Sequence, residues 1–378
     1  MTPDALDGLA NPYPPGDENR EGRFAIALGV LIPDAITLHE ELIGDLDPDK
    51  LGVGWWAPYP DEARRMLISD HLLQCALSIQ INLVEAKLHF LELEDAWRQR
   101  SDLFSDSVDM RSGKIFLRRP PVVSPRDELP LKLSALHTAG FFRALGGTLD
   151  CLGATIIGVS ALPVAILTSD LKRARQAFPS DPGTEGAALQ LNLSKTLERA
   201  IGSFGPPGWL EWATDFRNML VHRGRRADIG EFLPEPSPIL DSRGRTIIRT
   251  RTIQRLPRDP GRSEIEVLLH RANALVLTEQ ARDTLEGLLD TTIKLLNDVV
   301  GELLILWRTR RANPELLAQP REQWLGGPSA ESTGFEGYKP GSYDYNPGAL
   351  IAAPGLITRL RAAALSDQQR YRWERLGT

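Results

Sequence analysis

The stretch TEQARDTLEGLLDTTIKLLNDVVGELLILWRTRR, Thr278 to Arg311, decides the fold class. Leu285, Leu288, Leu289, Ile293, Leu296, Val299, Val300, Leu303, Leu304 and Trp307 recur every three or four residues, which lines one face of an α-helix with apolar side chains. The continuation RTRRANP ends this pattern with basic residues and then a proline, as a helix C-terminus does.

Outward from it, the same spacing returns at Leu72, Ala76, Ile79, Leu83, Ala86, Phe90, Leu93 and Trp97, predicting a long helix from Asp61 to about Arg100. A second long helix is expected from about Leu131 to Ser160, and a third from Gly186 to Phe204. Gly205-Pro-Pro-Gly then stops the chain, so Trp209 to Val221 is a separate short helix ending near Gly224. A shorter helix fits Pro33 to Leu46, and another fits Gly355 to Glu374 in the tail. Residues 1 to 22 read as a loose arm rich in Pro, Gly and acids, and WWAPYP at Trp55 to Pro60 as an extended connector.

Two places break the helical pattern. A strand is expected at Lys114 to Leu117, after the turn at Arg111-Ser-Gly. TIIRTRTIQR, Thr246 to Arg255, alternates apolar residues and Thr with Arg after a turn at Asp241-Ser-Arg-Gly, which predicts a β-hairpin with one basic face. The expected fold is therefore all-α, an antiparallel helical bundle with an inserted β-hairpin. Its segments are an N-terminal arm with a short helix (1–60), a helical domain (61–312) carrying the hairpin at about 229–269, and a Gly/Pro-rich tail with a C-terminal helix (313–378).

Composition narrows the function. Over 378 residues, 42% hydrophobic and 25% charged residues describe a soluble globular chain, and a formal net charge of -6 excludes a surface coated in basic groups for duplex DNA. The start MTPDALDGLANPYPPGDENREG lacks the basic residues and apolar run of a signal peptide, so a cytoplasmic protein is expected. The most apolar window, Phe141 to Leu167, is interrupted by Arg143, Asp150 and Pro163 and reads as a buried core helix, so no membrane partner is expected. Cys75 and Cys151 sit in apolar helical patterns away from any second Cys or His at ligand spacing and read as buried free thiols. Phosphate-binding Gly loops, G-x-S-x-G, H-E-x-x-H and Cys/His clusters are missing, so neither metal nor cofactor is expected.

What remains is DFRNMLVHRGRR, Asp215 to Arg226, on the last turns of the short helix. Arg217, followed by Asn218 and then by His222, resembles the R-x4-6-H signature of HEPN domains, the helical "higher eukaryotes and prokaryotes nucleotide-binding" family. The resemblance implies a metal-independent endoribonuclease, a toxin or defence effector, built as a homodimer whose shared cleft takes Arg and His from both copies. It further implies RNA as substrate and an antitoxin or other regulatory protein as partner.

The residue chemistry suits this reading. The ribose 2′-hydroxyl is the nucleophile, His222 would move protons near neutrality, Arg217 would clamp phosphate, and Asn218 would orient either one. Asp215 could steer the imidazole or the guanidinium. Arg223, Arg225 and Arg226, with Arg243, Arg245, Arg249, Arg251, Arg255 and Arg258 in the hairpin, could hold the RNA backbone or simply form a solvated face.

A non-catalytic helical dimer that binds nucleotide, RNA or a partner protein is the competing reading, with Arg217 paired to Glu211 or Asp215 and His222 favouring the negative helix end. The chain also carries a second Arg-to-His spacing, Arg65 and His71, in which Met66 stands where the polar residue should be. On a regular helix, positions five apart lie about 140° around the axis. Arg217 and His222 therefore meet only if the helix loosens near Val221 or if a second copy completes the site.

Overall fold

The computed structural model describes residues 18–46, 62–111, 114–117, 125–222, 229–234, 239–240, 246–247, 250–270, 275–313 and 354–364, with a few single positions in the tail. The chain is mostly helical. Its helices are α1 (Glu18–Leu28), α2 (Pro33–Asp45), α3 (Glu62–Ser107), α4 (Pro125–Ser160), α5 (Leu171–Ala177), α6 (Glu185–Phe204), α7 (Trp209–His222), α8 (Glu264–His270), α9 (Ala281–Ala312) and α10 (Pro354–Ala363).

Most boundaries follow local chemistry. Pro33 opens α2, where its missing N–H is no loss. Thr184 caps α6 by accepting from the Ala187 N–H at 3.1 Å, and Asp170 caps α5 by accepting from Arg173 N–H at 2.8 Å. α3 runs seven residues past the expected end at Arg100, because Ser101 to Ser107 contains neither glycine nor proline to stop it.

α4 starts six residues earlier than expected. Pro125 occupies its first turn, and Pro130 is carried inside the helix at the expense of one backbone bond. α1 lies partly within the segment read as a loose arm, which is corrected for residues 18–22. The connector at Trp55 to Pro60 lies outside the described residues.

Among the described residues the strands form two-stranded antiparallel pairs. β1 (Val108–Arg111) pairs with β2 (Lys114–Leu117), so the strand expected at 114–117 has a partner the alternation did not reveal. β3 (Ile229–Pro234) pairs with β6 (Thr250–Arg255), and β4 (Ile239–Leu240) pairs with β5 (Thr246–Ile247) between them. Strand character stops at Arg255. Residues 264–270, inside the span read as hairpin, are helical in α8, where Ser263 accepts from Glu266 N–H in a capping arrangement.

The chain divides into two compact units assembled from non-contiguous segments. One comprises Met1–Leu31, Leu83–Ala144 and Glu211–Leu289, and the other Ile32–Asn82, Leu145–Leu210 and Asp290–Thr378. In the first, Phe90, Leu93, Phe141, Phe142, Phe216, Met219, Leu285 and Leu289 are buried together with Ala27 of α1. In the second, Leu38, Leu42, Leu72, Ile156, Leu193, Leu296 and Trp307 are buried, and the Trp307 indole N–H donates to Asp45 Oδ2 at 3.0 Å.

Arg310 of α9 is also buried in the second unit, where its guanidinium donates to the carbonyls of Gly158 and Val159 at 3.0 and 3.1 Å. Those carbonyls belong to the last turn of α4 and have no helical partner, so a buried cation here satisfies groups that would otherwise be orphaned. Burial lowers this guanidinium to about 9, which still leaves it charged at neutral pH.

Stretches of α3 and α4, 63–101 and 128–160, are long and apolar enough to cross a membrane by length and composition alone. In their most apolar windows 56% and 72% of the residues are buried inside the protein.

Candidate functional site

α7 is positioned at its start by the glycine-proline break. Gly208 adopts φ +82, a left-handed conformation that a side chain would strain. The Trp209 indole folds back over Gly205, where an added Cβ would overlap the ring, and its N–H donates to Ile201 O at 3.0 Å.

Further along, α7 is oriented by an aromatic cluster. Phe216 stacks on Phe142 of α4 with centroids 4.2 Å apart and an interplanar angle of 18°. Trp212 packs on Phe216 at 5.2 Å, and its indole N–H donates to Pro257 O at 3.2 Å. Each such ring pair contributes about 0.5–1.5 kcal/mol beyond simple burial. With Phe216 and Met219 buried, the opposite arc of the helix must face outward.

That arc carries the motif. Taking about 100° per residue, Arg217, Val221, Asn218 and position 222 follow one another around the side away from Phe216. Asn218 is exposed, Val221 is 62% exposed, and Arg217 is half-buried. The helix is regular through position 222, so the loosening near Val221 that a single chain would need does not occur. Arg217 and His222 therefore remain about 140° apart on one helix. The His222 side chain, and Arg223, Arg225 and Arg226, lie outside the described residues.

The accessory residues are placed less favourably. The Asp215 carboxylate faces the 259–262 turn, where a Cβ on Gly261 would lie 3.5 Å from its Oδ2. In that turn Arg262 pairs with Asp259 at 3.2 Å. Among the hairpin arginines, Arg255 donates to the Thr278 carbonyl, so this guanidinium binds backbone of its own chain. Arg243, Arg245, Arg249 and the Arg251 side chain lie outside the described residues.

The second Arg-to-His spacing has a different setting. His71 on α3 is half-buried with its Nε2 3.5 Å from the Cys75 thiol, and burial lowers its pKa against the opposing pull of Asp70 and the Ile166 carbonyl. Cys75 is buried and Cys151 half-buried, both free. Cys75 is not away from histidine as expected, since His71 stands four residues before it on the same helix, and Cys75 and Cys151 also interact. A hydrogen bond between the thiols raises Cys75 and lowers Cys151.

The residues missed by the sequence reading are His89 and His137. Forty-eight positions apart, they meet where α3 packs on α4, with their Nδ1 atoms 3.0 Å apart and their rings tilted by 52°. Glu85 Oε1 lies 3.6 Å from His89 Nε2 and also pairs with Arg143. Burial lowers both imidazoles; neighbouring His137 and Arg143 add to the effect at His89, while Glu85 opposes it there and Glu92 opposes it at His137.

A signal for this meeting exists in the sequence: Gly140, Ala144, Gly147, Cys151, Ala154 and Gly158 repeat small residues at alternating spacings of four and three along α4. Close approach is seen at Gly140 against His89 and at Gly158 against Leu72, where an added Cβ would lie 2.6 Å from Cδ1. Among the described residues no group of three or more His, Cys, Asp or Glu side chains is arranged to hold a metal ion. No family model matches the chain, and no curated protein and no solved structure matches it either.

Proposed function

We propose that the chain is a HEPN-like, metal-independent endoribonuclease acting as a homodimer in the cytoplasm, with a toxin or defence role held in check by a regulatory protein. The observation that carries the reading is the outward arc of α7, where Arg217 and Asn218 flank the exposed Val221 and the helix continues regularly into position 222. A two-fold contact centred on Val221 would bury an exposed apolar side chain and bring Arg217 of one copy toward His222 of the other. Each chain then supplies half a site.

In such a cleft His222 accepts the 2′-hydroxyl proton as its oxygen attacks the phosphorus, and the partner's imidazole protonates the departing 5′-oxygen. Arg217 neutralises the charge that gathers on the phosphorane oxygens, and Asn218 holds a phosphate oxygen or an imidazole in register. Asp215, turned toward the 259–262 turn, acts at most through the backbone of α7.

The test is RNA cleavage by purified full-length protein in excess EDTA, beside Arg217→Ala and His222→Ala. Cleavage in EDTA that both substitutions abolish supports the reading. Activity that survives both, or that EDTA removes, overturns it. Saturable RNA binding without cleavage favours the competing reading, a helical dimer that binds RNA or nucleotide without cutting it.

A further inference from the structure

We propose that Cys75 and Cys151 form a dithiol site at which hydrogen peroxide closes an intramolecular disulfide between α3 and α4. The site lies wholly in the second unit and is independent of α7 and of the ribonuclease reading. Far apart in sequence, the two thiols are free and share a hydrogen bond. The helices approach closely on both sides of them: an added Cβ on Gly147 would lie 2.9 Å from Asn82 Nδ2, and one on Gly158 would lie 2.6 Å from Leu72 Cδ1. Cys75 falls between Leu72 and Asn82 on α3, and Cys151 between Gly147 and Gly158 on α4. Thiols already in contact across such a seam reach the sulfur–sulfur bond length of about 2.05 Å by side-chain rotation, with little backbone movement.

The surroundings divide the roles. Asn82 donates to Cys151 Sγ at 3.9 Å, and the hydrogen bond from the Cys75 thiol favours the Cys151 thiolate, lowering Cys151 and raising Cys75. Cys151 is also the more exposed of the two, so it meets peroxide first. His71 Nε2 stands 3.5 Å from Cys75 Sγ. The Ile166 carbonyl accepts from the same ring, and the tautomer with that proton on Nδ1 leaves Nε2 its lone pair for the Cys75 S–H. Burial keeps this imidazole neutral at pH 7, ready to take the Cys75 proton.

Oxidation proceeds in two balanced steps. The Cys151 thiolate attacks one peroxide oxygen; a sulfur–oxygen bond forms, the oxygen–oxygen bond breaks, and the departing hydroxide takes up the proton that Cys151 had released and becomes water. Peroxide has then been reduced by two electrons, and Cys151 is a sulfenic acid. The Cys75 sulfur next attacks the Cys151 sulfur; the sulfur–sulfur bond forms, the sulfur–oxygen bond breaks, and the hydroxide leaves as a second water with the Cys75 proton passed on by His71. The product staples α3 to α4 within one unit, and thiol reductants reverse it.

The experiment is oxidation of pre-reduced, full-length protein with hydrogen peroxide, followed by thiol alkylation in denaturant, intact mass and non-reducing peptide mapping. The expected result is no alkylation at either position, a mass two hydrogens below that of the reduced chain, and one peptide pair joining Cys75 to Cys151, all reversed by dithiothreitol. Both thiols still free, oxygen added at Cys151 with Cys75 alkylated, or disulfides between copies overturn the proposal. The wild type unfolded in urea gives a second reading that needs no variant to fold. Losing the contact between the helices should slow disulfide closure about tenfold or more at the same pH and peroxide, and an equal rate overturns the site. In Cys75→Ser, Cys151 should accumulate a sulfenic acid that dimedone traps; a trap at neither residue in that variant overturns the first step.

Discussion

Two histidines in this chain stand at the R-x4-6-H spacing from an arginine, His71 after Arg64 and Arg65 and His222 after Arg217, and their settings differ. Arg65 and His71 lie near the start of a 46-residue helix, where the histidine is half-buried beside a thiol and a backbone carbonyl. Arg217 and His222 lie on the final turns of a 14-residue helix whose inner side is held by stacked aromatics and whose outer side carries Asn218 and Val221. Spacing alone cannot separate them. Arg65 and Arg217 are both half-buried, so the difference lies in their neighbours: His71 sits half-buried against Cys75, whereas Asn218 and Val221 beside Arg217 are exposed.

The comparison breaks most directly on activity. Arg217→Ala is expected to reduce RNA cleavage by about 100-fold or more, the scale of losing one transition-state charge donor, while Arg65→Ala leaves kcat/KM within about twofold. Equal losses in both variants, measured on the same RNA in EDTA, would remove the distinction.

The next effect is on stability. Phe216→Ala removes the ring that stacks on Phe142 and should lower unfolding free energy by about 3–5 kcal/mol in urea titration. Asn218→Ala, on the exposed arc, should change it by about 0.5 kcal/mol or less. A loss at Asn218 comparable to that at Phe216 would mean the arc is internal.

A smaller effect concerns pH. The folded-state pKa of His71 lies below its unfolded value of about 6.5, so the unfolded chain binds the extra proton more readily. The stability His71 contributes is present above about pH 6.5 and is lost as pH falls from there through the lowered folded value. Urea midpoints measured from pH 7.5 to 5 should therefore decline less steeply in His71→Gln than in the wild type. His39 is shifted downward too, chiefly by burial, so part of the decline persists. A modest change is expected at a helix end outside both pairs: Asp170→Ala removes the cap of α5 and should reduce stability by about 1 kcal/mol in the same assay.

Legibility followed the range of the interaction responsible. The long helices could be read because amphipathic spacing is local, and the start of α7 was marked by Gly205-Pro-Pro-Gly. α1 and the early start of α4 through two prolines were missed because local preference there is weak, and the helix at 264–270 was missed although its Ser263-x-x-Glu266 capping box is a local signal. At the candidate site, the identities of Arg217, Asn218 and His222 were legible. What the inner side of α7 packs against was not, because Phe142 and Pro257 are residues far from it in sequence.

By itself, then, the sequence determined the helical class, the break before α7 and one short polar motif, all of which rest on neighbours within a few residues. Only the tertiary structure decided that α7 stays regular through position 222, that Asp215 turns toward Gly261, and that His89 meets His137. Those outcomes depend on helix packing between segments tens of residues apart, where small residues along α4 let side chains approach that no local pattern connects.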